Sequence, residues 1–299
     1  MPKIIHQSKF KRFQHIHCCA NQKLHRFGWY IRKSDAQKVH RFRCHSCGKT
    51  VSNATIDHAK WQKKRHHNHM IKMMLASNMS MRRIAKVLNI HQKTVARKLI
   101  FLGETLKREL DQVSLVHVNN IQFDELQTIE HSKCKPLSVV MAVCKDTRQI
   151  LGFHVSKMPA TGLLAKVSRK KYGPRPDHRR QGLHQLFSEL THKHLHLKHA
   201  ASDECPFYKP AVTRFFPSAS YQQFKGQKGS IAGQGELKKQ KIDPLFTINH
   251  TFAMLRANIN RLIRKTWCTT KRIDRLIHHI TIYTHVHNNV LLKTCNAPG

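Results

Sequence analysis

Two adjacent carboxylates interrupt the apolar stretch Asn120-Ile121-Gln122-Phe123-Asp124-Glu125-Leu126. Burying a charged group is costly unless the group is paired or binds a metal ion. Successive side chains of a β-strand point to opposite faces, so only one of Asp124 and Glu125 can face a shared site. The stretch therefore predicts a strand that carries one functional acid.

Apolar segments around this stretch indicate a β-meander. They span 116–126, 137–145 and 149–156, are rich in Val, Ile and Phe, and are separated by short polar links. This pattern predicts consecutive strands with tight connections. A further strand-like segment, Ala200-Ala201-Ser202-Asp203, also ends in an acid. Two carboxylates at strand ends can hold Mg²⁺ (or Mn²⁺), which would neutralise an anionic phosphodiester during its cleavage. Asp124 and Asp203 are therefore the predicted magnesium ligands and catalytic residues.

The segments after Asp124 predict helices and one irregular region. Residues 182–192 are helical in pattern, and 206–244 hold many Gly, Pro and Lys, which indicates an irregular insertion at about 205–247. Residues 247–266 and 271–288 predict two long helices. The first of these has an apolar stripe made of Ile248, Phe252, Leu255, Ile259 and Leu262.

A helix-turn-helix pattern occupies residues 80–99. Ile84, Ala85 and Leu88 form the inner face of a first helix, and Asn89 stands where a left-handed residue is needed. Val95 and Leu99 continue the inner face after Ile90. The side chains predicted to point outward and contact DNA are Gln92, Lys93, Thr94, Arg97 and Lys98. The alternative is an ordinary helical hairpin with a solvated basic face.

Cysteine and histidine pairs near the N-terminus indicate a Zn²⁺ site. Cys44 and Cys47 lie three residues apart and precede a glycine, a spacing that lets both thiolates bind one tetrahedral ion. The same gap separates His15 and Cys18, the predicted second pair of ligands. Cys19, His17 and His25 are alternatives for this second pair.

Charge is the strongest feature of the composition. The chain has 54 Lys and Arg against 16 Asp and Glu, a formal net charge of +38, spread over its length. Such a protein requires a polyanion as its partner, and double-stranded DNA is the predicted one. A nucleic-acid-coating protein without catalysis is the alternative. The sequence predicts no membrane span, no signal peptide and reduced cysteines, hence a cytoplasmic, nucleoid-associated protein.

Taken together, these motifs resemble those of bacterial insertion-sequence transposases of the zinc-ribbon, DDE-type class. The similar features, which cover nearly the whole chain, are the Cys44–Cys47 knuckle, the helix-turn-helix, Phe123-Asp124-Glu125-Leu126, Ser202-Asp203-Glu204, Leu255-Arg256 and residues 261–267. The resemblance implies an RNase H-like catalytic domain, Mg²⁺ dependence, DNA cleavage with strand transfer, and a homo-oligomer assembled on the ends of a mobile element.

The resemblance also implies a third metal ligand on the late helix, usually Glu, with a basic residue two turns later. The matching positions here hold Asn249 and Arg256, which share a helix face. His250 is an alternative ligand, and so is Glu236, whose spacing from Asp203 is typical of many DDE enzymes. A helix N-cap is the other role open to Asn249.

Trp267 is expected in the core, and the basic run 166–175 either follows the DNA backbone or forms a solvated face.

The sequence thus predicts an α+β multidomain protein. The expected domains are a zinc ribbon at 1–58, a helix-turn-helix domain at 59–112 and an α/β RNase H-like catalytic domain at 113–299. The predicted function is a transposase that binds element ends and catalyses metal-dependent phosphodiester cleavage and strand transfer. The alternative is a non-catalytic DNA-binding regulator derived from such an enzyme.

Overall fold

The computed structural model describes residues 24–33, 35–56, 58–60, 62–225, 243–263 and 267–292. Over these residues the protein is an α+β fold with nine α-helices and eight strands. Two compact units divide the chain, Met1–His69 and Met70–Gly299. Residues 80–99, predicted to form a helix-turn-helix, lie in the second unit together with the larger sheet, and the predicted domain limits at 58/59 and 112/113 remain predictions.

The first unit contains a three-stranded antiparallel sheet in the order β1-β2-β3. Its strands are β1 (Leu24–Arg32), β2 (Gln37–Cys44) and β3 (Thr50–Ser52), and the short helix α1 (Asn53–Ile56) follows. The β1–β2 register shifts between Arg26 and Trp29, where Gly28 has a φ of 90° that favours glycine. Asp35 accepts hydrogen bonds from Arg32 and closes the β1–β2 turn.

A mixed five-stranded sheet forms the centre of the second unit, in the order β6-β5-β4-β7-β8. Neighbouring strands β4, β5 and β6 run antiparallel, whereas β7 lies parallel to β4 and β8 lies parallel to β7. The strands are β4 (Asn120–Glu130), β5 (Ser132–Cys144), β6 (Ile150–Lys157), β7 (His199–Asp203) and β8 (Ser220–Phe224).

Helices cover both faces of this sheet, which explains why residues 137–144 are buried without alternation. Ile121 and Phe123 of β4 face one core, formed with α6 (Arg179–His192) and α7 (Tyr208–Phe215). Leu126 faces the opposite core, formed with α8 (Phe246–Asn258) and α9 (Ile273–Val286). The basic helix α5 (Leu164–Tyr172) is held to β5 by a hydrogen bond from the Ser168 hydroxyl to the Cys134 carbonyl.

A third core joins the helices of residues 68–111 to α9. It contains Ile71 and Leu75 of α2 (Asn68–Leu75), Ile84 of α3 (Met81–Val87), Leu99 of α4 (Gln92–Asp111), and Ile282 of α9. Contact between α4 and α9 is close, because a Cβ at Gly103 would overlap the His278 side chain. Ser80 caps α3 by accepting a hydrogen bond from the Arg83 amide, as a helix N-cap should.

Several element limits differ from the predicted ones. The predicted irregular insertion contains α7 and β8, because Tyr208, Ala211 and Val212 recur at helical spacing and are buried. The late helix α8 ends at Asn258 rather than at 266, although Ile259 and Leu262 remain buried beyond it. No helix in the described part of the chain is long and apolar enough to span a membrane.

Asn89 between α3 and α4 has a φ of 47°, so the left-handed residue predicted from the sequence is present. Replacement by alanine is expected to lower the free energy of unfolding by about 1 kcal/mol, because a Cβ without a local polar group is strained there. Glycine at the same position should leave stability within a few tenths of a kcal/mol. Urea unfolding of both variants tests this, and an equal loss in both would contradict it.

Candidate active site

Asp124 and Asp203 come together on adjacent parallel strands although they lie far apart in the sequence. The β4–β7 register pairs Gln122 with Ala201, and the two acids stand two residues further along their strands. Both therefore point to the sheet face that α8 covers, the face to which Leu126 and Ala201 also belong. Their carboxyl groups are within hydrogen-bonding reach of each other.

Gln122 fixes the start of α8 on the same face as the acid pair. Its Nε2 donates to the Pro244 carbonyl at 2.8 Å, and its Oε1 accepts from the Ile248 amide at 3.0 Å. Since Gln122 and Asp124 are two residues apart on one strand, the first turn of α8 lies beside the carboxylates. Gln122 is not among the residues predicted from the sequence, although a polar side chain alternating with Asp124 in an apolar strand could have indicated it.

Burial makes ionisation of both acids costly. Burial first, and then the charge of Asp203, raises the pKa of Asp124 to about 7. The pKa of Asp203 is also raised, chiefly by burial. Asp124 Oδ1 accepts a hydrogen bond from the Glu125 amide at 2.7 Å and a longer one from the Tyr208 hydroxyl at 3.5 Å. Near neutral pH the metal-free pair therefore retains a proton.

The donor set of this pair fits a divalent cation. Apart from the Asp124 carboxyl itself, no donor among the described residues reaches the buried Oδ1 of Asp203. A cation that binds hard oxygen ligands, such as Mg²⁺ or Mn²⁺, would replace the retained proton and satisfy this oxygen. Within the described ranges, no cluster of three or more His, Cys, Asp or Glu side chains is arranged to hold a metal ion. The acids thus form a two-carboxylate site.

The raised pKa of Asp124 predicts a stability change with pH in EDTA. A carboxyl whose folded pKa lies above its unfolded value of about 3.9 stabilises the folded state less as the pH rises through both values. Asp124→Asn cannot ionise, so its stability relative to the wild type should increase by about 2 kcal/mol between pH 5 and pH 8. Urea unfolding measures this, with exposed Glu104→Gln as control. A constant difference would contradict it.

Asn249, the predicted third ligand, lies in the first turn of α8 but is not an N-cap. Its Nδ2 donates to Asp243 Oδ2 at 2.8 Å, and its backbone amide already bonds the Leu245 carbonyl within the helix. Arg256 is half-buried two turns later on the same helix, and His250 packs its ring against Phe246. The alternative ligand Glu236 lies outside the described residues.

Glu125 faces away from the acid pair, as strand alternation predicts. Its carboxylate lies near the Ser138 hydroxyl, which lowers its pKa, and Arg179 of α6 approaches the carboxylate at 3.9 Å. Burial nevertheless raises the pKa of Glu125. The two neighbouring carboxylates of β4 therefore have separate environments, and Glu125 makes its contacts beneath α6.

Tyr208 is a second residue that sequence analysis missed. It is fully buried at the start of α7, its ring packs against Phe123 at 5.0 Å, and its hydroxyl points toward Asp124. Burial raises the pKa of Tyr208 above the ordinary tyrosine value, so the hydroxyl stays protonated and donates. Tyr208 was not predicted as a site residue, because it falls inside the segment predicted to be an irregular insertion.

Most of the predicted DNA-contacting side chains of α4 are accessible, with one correction. Gln92, Lys93 and Arg97 are exposed and Thr94 is half-exposed, whereas Lys98 is only 4% exposed and does not point outward. Lys98 falls three residues after buried Val95 and four before Leu102, so it belongs to the stripe that packs inward.

The Cys44–Cys47 knuckle forms the turn between β2 and β3. The amide of Gly48, which has a φ of 72°, donates to the Cys44 carbonyl at 3.0 Å. The predicted ligands His15 and Cys18 and the alternatives Cys19 and His17 lie outside the described residues, whereas His25 lies on β1. The described residues thus contain half of the predicted zinc site.

Comparison with known proteins adds no identification. No protein-family model matches the sequence, and a search of curated proteins finds no match either. The geometry of the acid pair and the charge of the chain therefore carry the functional argument.

Proposed function

We propose that this protein is a DNA transposase of the zinc-ribbon, DDE-type class, with an RNase H-like catalytic domain. The observation that carries the proposal is the convergence of Asp124 and Asp203, whose pKa values are both raised and of which Asp203 has a buried carboxylate oxygen without another donor among the described residues. Buried acids with raised pKa values are typical of functional sites. The chain has only 16 Asp and Glu, and the placement of two of them together in a buried site argues against a purely structural role.

The strand order supports the fold part of the proposal. An antiparallel meander of β4, β5 and β6, followed by β7 and β8 added in parallel beside β4, is the arrangement expected of an RNase H-like sheet. The two acids lie on the neighbouring strands of this sheet that run parallel, β4 with Asp124 and β7 with Asp203.

The chemistry requires ligands that position the reacting phosphodiester. Divalent cations bound by the two acids would supply charge neutralisation and activate water or a 3′-hydroxyl. Tyr208 and the Glu125 amide hold the Asp124 carboxylate in one orientation through their hydrogen bonds. Gln122 holds α8 beside the pair. Asn249 is the proposed third ligand, because the bond from its Nδ2 to Asp243 leaves the Oδ1 end of the amide for a cation.

DNA recognition is assigned to the exposed face of α4 and to the first unit. Gln92, Lys93, Thr94 and Arg97 present side chains that can contact bases and phosphates in a major groove. The proposed Zn²⁺ site would stabilise the knuckle next to the basic strands β1 and β2. As part of the same proposal, two or more copies assemble on the ends of the element inside the cell, without a membrane partner.

Cleavage of DNA that carries the sequences flanking the gene tests this function. The wild-type chain should cut at a defined position with Mg²⁺ and should bind without cutting in EDTA. Sequence-selective binding without cutting in Mg²⁺ or Mn²⁺ would favour the alternative of a non-catalytic regulator. Binding that shows no preference between these sequences and unrelated DNA would contradict both.

A further inference from the structure

A second site lies in the same unit, away from the acid pair. A cleft of about 540 Å³ opens between the start of α3 and α4 on one side and residues 260–261 and 267–275 on the other. Thr270, whose neighbours Thr269 and Lys271 line the cleft, forms an isolated β-bridge with Glu130. Glu130 lies six residues beyond Asp124 on β4, which corresponds to about 20 Å along the strand. The cleft is therefore distinct from the two-carboxylate site.

The charged side chains that line this cleft are all basic: Arg82, Arg261, Lys271, Arg272 and Arg275. The nearest acid, Asp274, is already bonded by Arg272 at 2.8 Å and approached by Arg275 at 3.8 Å. His279 at the floor adds no charge, because burial lowers its pKa to about 3 and its Nε2 donates to the Leu75 carbonyl. The cleft thus has an excess of positive charge.

Arg261 is the unusual member of this set. Its side chain is 9% exposed, its buried Nε has no hydrogen-bond partner, and it forms no ion pair with any described residue. Burial lowers the pKa of Arg261 to about 10, so the guanidinium is still charged at neutral pH. A buried charge that only stabilised the fold would be paired, because unpaired burial is costly. An anion in the cleft would satisfy this arginine.

Trp267 stands at the rim of the cleft and is 100% exposed, which corrects the prediction that it belongs to the core. A large aromatic ring that is completely in solvent loses the free energy that its burial would contribute. Exposed aromatic rings beside basic grooves are the usual platforms on which unpaired bases stack. Trp267 at the rim and the buried Arg261 therefore indicate the two ends of one ligand, a base and a phosphate.

We propose that this cleft binds one unpaired nucleotide of a DNA strand, with Arg261 paired to its phosphate and Trp267 stacked on its base. The volume falls in the range of small-molecule sites, so it fits a nucleotide and not a duplex. The identity of the ligand rests on the proposed function, because the charge and the ring alone specify only an anion with a flat apolar part. The site would hold a single-stranded segment while a bond is cut elsewhere on the protein.

Fluorescence anisotropy with labelled, 5′-phosphorylated dT8 in EDTA tests the proposal. Arg261→Met should weaken binding about 10-fold or more, since a charge-assisted contact to phosphate is lost. Arg108→Met, which removes an exposed arginine of α4 away from the cleft, should weaken it less than about 3-fold. Trp267→Ala should cost about 10-fold, and Trp267→Phe should recover most of it. The affinity for a blunt 20-bp duplex should change little from the wild type in all four variants.

Stability separates a ligand-binding arginine from a structural one. Removing a buried, unpaired charge should leave the melting temperature of Arg261→Met equal to or above that of the wild type. If Arg261→Met does not fold, the dT8 affinity of Trp267→Ala tests the proposal by itself, since removing a fully exposed ring does not destabilise the fold. Equal dT8 affinity for Trp267→Ala and the wild type, or for Arg261→Met and Arg108→Met, would overturn the proposal.

Failure here is distinguishable from failure of the proposed function. Glu104→Gln, which changes an exposed acid outside both sites, should bind dT8 as the wild type does, and the binding assay needs no metal. Cleft-dependent binding in a protein that never cuts DNA would refute only the catalytic proposal. Specific cutting by the wild type with unchanged dT8 binding in the cleft variants would refute only the nucleotide site.

Discussion

Replacing Asp124 with asparagine is expected to reduce Mg²⁺-dependent DNA cleavage by a factor of about 10³ or more, equivalent to about 4 kcal/mol of barrier. The carboxylate of Asp124 lies against that of Asp203, and an amide at this position could not supply the negative charge that a cation needs. Asp203→Asn should have a comparable effect. Single-turnover cleavage of an end-bearing DNA fragment measures both.

The neighbouring acid on β4 gives a matched control. Glu125→Gln changes the same strand by the same chemistry, but on the face that contacts Ser138 and Arg179. Its cleavage rate is expected to stay within about threefold of the wild type, while DNA binding stays constant in all three variants. Equal loss of cleavage in Glu125→Gln and Asp124→Asn would indicate a general structural effect and would argue against the assigned site.

Phe123→Ala is expected to lower the free energy of unfolding by about 3–5 kcal/mol, the cost of removing a large ring from a packed core. Phe123 is 0% exposed, and the rings of Phe187, Tyr208 and Tyr221 lie 5.1, 5.0 and 6.1 Å from its own. The cavity would lie directly beneath the strand that presents Asp124. The position of Tyr208 would change with it, so cleavage should also fall.

Urea unfolding of this variant is compared with that of Phe246→Ala. Phe246 is 51% exposed at the start of α8, so its removal is expected to cost less than about 1 kcal/mol. A similar loss of stability for the two phenylalanines would mean that the core between the sheet, α6 and α7 is not packed as described.

The pattern of apolar and polar residues within each single strand allowed the β-meander and the two acids to be predicted. In β4 the apolar residues Ile121 and Phe123 alternate with polar ones, and alternation is a property of each strand by itself. The parallel pairing of β4 with β7 could not be predicted in the same way. It depends on which strand is placed beside β4 after the chain passes through α5 and α6, and local periodicity carries no information about that choice.

Side-chain placement failed where a neighbouring element decides burial. Lys98 was predicted to point outward because it is charged, yet α9 covers the stripe of α4 on which it falls. Trp267 was predicted inside because it is aromatic, yet it lies in the connection between α8 and α9 and is in solvent. Averaging composition over a long Gly- and Pro-rich region concealed α7, and with it Tyr208.

The central claim is that Asp124 and Asp203 bind a divalent cation, and Mn²⁺ binding followed by electron paramagnetic resonance at pH 7.5 tests it most directly. Thiolates select Zn²⁺ whereas carboxylate oxygens suit Mn²⁺, so one equivalent of Zn²⁺, the amount that the proposed knuckle site would take, is added first. The wild type and Glu125→Gln are predicted to retain bound Mn²⁺ that Asp203→Asn and Asp124→Asn lose. Equal Mn²⁺ binding by the wild type and both asparagine variants would contradict the account.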